Sequence, residues 1–111
     1  MLRGVNTREY LTILHCPPLL VTAVKDNIAV LSDKLLAEGL ITPVNYGALR
    51  NTVIDETVRA SKLVEFVRNK ISLNSKNYYS FINTLEKEKA NYRDILLILN
   101  EKYKDEYWSK T

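Results

Sequence analysis

Apolar residues recur along this chain at three- and four-residue steps, without the sustained apolar/polar alternation of a half-buried strand. The clearest stripe is Ala60, Leu63, Val64, Val67 and Ile71, with Asp55 or Thr57 placed to cap it. That helix is expected at the centre of the core. Before it, Ile28, Leu31, Leu35 and Leu36 predict a helix capped by Asn27 or Asp26. Gly39 stands where the backbone turns left-handed past a helix end. Thr42-Pro43 reads as an N-cap followed by proline at the first helical position, and Tyr46, Leu49 and Val53 repeat behind it. Gly47 inside this short helix costs about 1 kcal/mol relative to alanine.

At the start, Tyr10, Leu11 and Leu14 mark a short apolar face that must stop or bend before Pro17-Pro18. Leu19, Leu20, Ala23 and Val24 resume the spacing after Pro18, a residue tolerated in a first turn, so the two pieces read as one broken helix. Towards the end, Tyr78, Phe81, Ile82 and Leu85 follow the capping pair Asn74-Ser75. Asn91, with Asp94 three residues on, is expected to cap a last helix that buries Tyr92, Ile95, Leu96, Leu99 and Tyr103 and reaches Trp108. The count is six helices, the first split. With short connections they predict an all-α antiparallel bundle spanning residues 1–111 as one domain.

Two stretches carry more than helical spacing. The first runs from Leu35 through Gly39-Leu40-Ile41-Thr42 to Tyr46 and Leu49: a leucine-rich helix, a glycine, an apolar residue, a threonine, then a tyrosine-bearing helix. The second pairs Ala60-Ser61-Lys62-Leu63-Val64 with Tyr78-Tyr79-Ser80-Phe81-Ile82-Asn83-Thr84-Leu85. In order and separation these resemble the caspase-recruitment (CARD) domain of the death-fold superfamily, across most of the chain between Leu20 and Leu99. The resemblance also implies a kinked first helix. The Pro17-Pro18 pair sharpens that break beyond the family's usual bend, and Gly47 weakens the third helix. Another death-fold subfamily is the alternative within the superfamily; of these, a death-effector domain would carry Arg-x-Asp-Leu, a spacing that Arg93-Asp94-Ile95-Leu96 lacks.

The chain is 111 residues long, 46% hydrophobic and 26% charged, a composition that supports one hydrophobic core and is too apolar for a disordered segment. Cys16 is the single cysteine, which excludes an internal disulfide and suits a reducing, cytoplasmic address. The first seven residues lack the apolar run of a signal peptide, and no stretch approaches the roughly 20 apolar residues that cross a bilayer. His15 beside Cys16 invites a catalytic or metal reading. Adjacent helical residues, however, point about 100° apart, and no further histidine or cysteine completes a zinc ligand set. With no phosphate loop or nucleophile elbow either, neither an enzyme nor a cofactor is expected. Of the aromatic residues, Tyr10, Tyr46, Tyr78, Tyr92 and Tyr103 fall on core stripes, Tyr79 and Tyr107 on exposed positions, and Trp108 is expected to cap the bundle.

Charge is unevenly spread. Residues 1–56 hold five basic and six acidic residues, a net of −1, whereas residues 57–111 hold eleven and seven, a net of +4. Opposite signs on different faces let copies dock head to tail, and a contact of that kind that does not close grows an open filament. The resemblance implies the same pairing, a basic face on helices one and four against an acidic face on helices two and three. Carried onto this chain, Lys25, Arg59 and Lys62 would meet Asp33, Glu38 and Asp55. The expected partners are therefore another CARD-containing protein or copies of the chain itself, with no membrane and no small-molecule substrate. The alternative is a small basic helical domain that binds nucleic acid through residues 59–76. It is weaker, because base-stacking residues are not interleaved with the lysines and acids occupy the other half.

Overall fold

A computed structural model describes residues 7–16 and 18–109, with side chains as far as Glu106. Pro17 and the side chains of Tyr107 and Trp108, including the expected Trp108 cap, lie outside the described residues. Among the described residues there are seven α-helices and no strand: α1 (Arg8–Leu14), α2 (Leu19–Lys25), α3 (Ile28–Ala37), α4 (Pro43–Leu49), α5 (Glu56–Leu73), α6 (Lys76–Glu86) and α7 (Arg93–Ser109). The two halves of the expected first helix are thus separate helices, α1 and α2, and the remaining five follow in the expected order.

Helix α5 is the hub. It packs against α1, α2, α3, α4 and α6, and buries Ala60, Leu63, Val67 and Ile71 to 1% exposure or less. Asp55 is its N-cap, the carboxylate Oδ2 accepting the Thr57 N–H at 3.1 Å. Around the hub, α7 lies against α1, α2 and α6, and α3 against α4 and α6. The Cα radius of gyration is 13.3 Å, the value of about 13 Å expected for a compact chain of this length.

The Asn27 side chain makes no cap bond to α3 and donates to the Ala23 carbonyl instead, whereas the passage from α3 to α4 works as the residue types demand. Gly39 has φ 72°, and beyond the end of α3 the Leu40 N–H bonds to the Leu35 carbonyl at 2.9 Å while the Gly39 N–H bonds to Leu36 at 3.1 Å. This pair of bonds satisfies carbonyls that the helix itself leaves open. Thr42 Oγ1 accepts the Asn45 N–H at 3.0 Å, with Pro43 in the first turn of α4.

Three further expectations need correction. The buried face of α1 is Thr12 and Ile13, while Leu14 is 42% exposed, because α1 turns its inner side to α5 and α7 together. Val53 does not continue the α4 stripe: α4 ends at Leu49, so the seven-residue extrapolation runs into the loop, where Val53 is 91% exposed. Asn91 does not cap the last helix. That helix begins at Arg93, the Tyr92 carbonyl accepts the Leu96 N–H, and the Asn91 side chain donates to Glu88 instead.

Candidate interaction site

The helices that carry the expected basic residues are neighbours, since α2 packs along α5. Lys25 occupies the last turn of α2, where a cation also complements the helix dipole. Arg59 and Lys62 lie in the first two turns of α5. The two lysines are half-buried and have no acidic partner among the described residues. Arg59 has a second occupation that sequence reasoning missed. Its Nε donates to the Ile54 carbonyl at 2.9 Å and its Nη1 to the Leu49 carbonyl at 3.3 Å, tying the end of α4 to the start of α5. Spacing gives no sign of such contacts, because they depend on how the loop folds back.

Of the acidic residues, Asp33 lies in α3 and Glu38 is its C-cap, whereas Asp55 is the N-cap of α5, one turn before Arg59. Asp33 and Glu38 are exposed, but each already faces a cation. Asp33 Oδ1 accepts the Tyr46 hydroxyl at 2.6 Å and lies 3.7 Å from Arg50, while Glu38 lies 3.8 Å from Lys87. The Asp33 hydrogen bond raises the Tyr46 pKa above the ordinary phenol value. A third contact, between Lys34 and Glu88, adds to this row and raises the Lys34 pKa. Asp55 spends one carboxylate oxygen on the cap of α5. Surface pairs of this kind are worth only about 0–1 kcal/mol each, so they leave the acids able to exchange partners. The structure therefore gathers Lys25, Arg59 and Lys62 on the packed pair α2 and α5, and Asp33 and Glu38 on α3 and its C-cap, but sets Asp55 at the start of the basic helix α5; none of the three basic residues has an acidic partner among the described residues.

No family model, curated protein or solved structure matches this chain.

The pair that first suggested chemistry is engaged elsewhere. His15 Nδ1 lies 2.7 Å from Glu106 Oε1, and Lys102 Nζ lies 3.7 Å from the same oxygen. Burial, with Glu106 adding to it and Lys102 opposing it, pushes the Cys16 thiol up to about 11. Such a thiol is protonated at neutral pH and is a poor nucleophile. Among the described residues no group of three or more His, Cys, Asp or Glu could hold a metal ion, and no helix is long and apolar enough to cross a membrane.

A second polar cluster, invisible to periodicity, joins α1, α6 and α7. Tyr79 donates to Glu9 Oε2 at 2.5 Å and lies 2.9 Å from the Tyr103 hydroxyl. Tyr103 stacks on Tyr78 with ring centroids 5.4 Å apart, and the Arg8 guanidinium covers the Tyr103 ring at 3.5 Å. These contacts anchor α1, a helix of only seven residues, to the rest of the bundle.

Proposed function

We propose that this chain is a protein–protein interaction module of the CARD type. In this reading it associates with another CARD, or with its own copies, through a basic face on α2 and α5 and an acidic face on α3 and α4. The observation that carries the reading is the gathering of basic residues on one packed helix pair, with two exposed acids on a different helix. Lys25, Arg59 and Lys62 stand on one packed pair, while Asp33 lies in α3 and Glu38 caps its end, a distribution suited to head-to-tail docking; Asp55, as the N-cap of α5, borders the basic pair. Each ion pair across such a contact contributes little, so recognition needs several acting together. The break between α1 and α2, and the glycine-threonine passage from α3 to α4, support the six-helix death-fold reading of the bundle. The role that goes with it is that of a cytoplasmic adaptor in apoptotic or inflammatory signalling, without turnover or cofactor.

Light scattering and negative-stain microscopy across protein and salt concentration test this directly, on the wild type, Lys62→Glu and Asp33→Lys. Lys62 serves as the basic probe because Arg59 also holds the α4–α5 connection. The wild type is expected to assemble and each variant alone to stay monomeric. A mixture of the two variants should form only a pair, since each keeps one intact face. A wild type that remains monomeric at low salt and binds no CARD would sink the reading. Affinity for a DNA or RNA probe falling linearly in log–log with salt would favour the nucleic-acid alternative.

A further inference from the structure

We propose that Val53 of one copy seats in the groove between the broken first helix and α5 of the next, forming the apolar centre of the contact between them. The proposal rests on the homotypic reading above. The groove has a volume of about 340 Å³ and is lined by Leu14, Cys16, Pro18, Val21 and Val64, with Arg68 as the charged residue in its wall. It opens where the chain breaks between α1 and α2 beside α5, whose Ser61, Val64 and Arg68 line it at successive turns.

Val53 is its complement. At 91% exposure it is the most exposed large apolar side chain among the described residues. It is held out on a hydrogen-bonded turn: its own N–H bonds to Asn51 Oδ1 at 3.1 Å, and the next N–H, of Ile54, bonds to the Asn51 carbonyl at 3.1 Å. The turn is therefore ordered in advance, which lowers the entropy lost on docking.

Charge selects the groove. Asp55 and Glu56 follow Val53 closely in the chain, whereas the wall helix α5 carries Lys62, Arg68 and Lys70 against Glu65 beyond its first turn. A second apolar groove, about 320 Å³ between α2 and α7, includes Leu19 and Leu97 but has Asp26 and Asp94 in its wall. Those acids would repel the Asp55-Glu56 segment, so the first groove is the receptor. Plug and groove are different patches of one chain. A copy bound through its plug keeps its groove open for another, the condition for open-ended assembly.

Cys16, the single cysteine, lines the groove and makes the contact testable by cross-linking. The variant Val53→Cys is oxidised with copper phenanthroline in mildly alkaline buffer, at a concentration where light scattering shows assembly. Two thiols then lose two protons and two electrons to the copper reagent and form one disulfide between copies. A reducible dimer and higher ladder are expected, disappearing when Cys16→Ser is added. No ladder is expected from Leu73→Cys, which places a thiol at another exposed position, 72% exposed in the native protein. Because burial makes Cys16 a slow thiol, Val53→Asp is read beside the cross-link: assembly retained by Val53→Asp, or equal cross-linking by the Leu73 variant, overturns the Val53 seat and leaves the homotypic reading standing. Absence of assembly in the wild type overturns the Val53 seat together with self-association, and the CARD reading falls with them only if no other CARD binds either.

Discussion

His15 Nδ1 and Glu106 Oε1 lie 2.7 Å apart although 91 residues separate them in the chain, and the pair fastens the end of α1 to α7. Their environments differ: the His15 side chain is 49% exposed and that of Glu106 only 7%. A carboxylate buried to that degree needs its partners, here the imidazole and the Lys102 ammonium. Glu106→Ala should therefore lower stability by about 1–2 kcal/mol in urea denaturation. Glu106→Gln, which retains a hydrogen-bonding group, should lose less. Equal loss in both would mean that packing, and not the polar contact, holds α1 in place.

Two glycines should respond in opposite directions to the same change. Gly47 lies within α4, and a Cβ added there meets nothing within 4 Å. Gly47→Ala is expected to raise stability by up to about 1 kcal/mol, by relieving the unfolded-state entropy and the poor helix propensity of glycine. Gly39 also has open space around it but adopts φ 72°. Alanine there must enter the left-handed region and should cost about 1–2 kcal/mol. Thermal melts of the two variants check both signs, and a stabilised Gly39→Ala would contradict the helix-end geometry.

The Tyr79 contact should fail at alkaline pH. Its hydroxyl gives a hydrogen bond to the Glu9 carboxylate, with Tyr103 the second influence and burial the third, and all three raise its pKa above the ordinary phenol value. The folded-state pKa thus exceeds the unfolded one of about 10. The stabilisation is complete below that value and is lost as pH rises through the folded-state pKa. Melting temperatures of wild type and Tyr79→Phe should differ near neutrality and converge in strong base. A constant gap across that range would show that the hydroxyl contributes nothing through its proton.

Much of the bundle could be read from residue order alone. The five helices after the broken pair, α3 to α7, follow from stripes three and four residues apart, since an α-helix repeats its faces at 3.6 residues wherever it packs. The Gly39 turn and the Thr42 cap were also legible, because each satisfies backbone groups a few residues away and depends on little else. The charged positions Lys25, Arg59, Lys62, Asp33, Glu38 and Asp55 can likewise be picked out in the sequence, though not which of them is already spent inside the fold, nor that Asp55 caps the helix carrying Arg59 and Lys62.

Only the tertiary structure decided the rest. Periodicity placed Val53 on a buried stripe, but the end of α4 at Leu49 turned it outward, because a stripe has meaning only while the helix continues. Arg59 reaches the carbonyls of Leu49 and Ile54, Asp33 faces Arg50, and Glu9 meets Tyr79 and Tyr103 because packing brings separate helices within side-chain reach. Sequence by itself determined which residues each helix can hide and where the backbone turns. The packed bundle decided which polar groups find each other, because those contacts join residues far apart in the chain and local spacing holds no record of them.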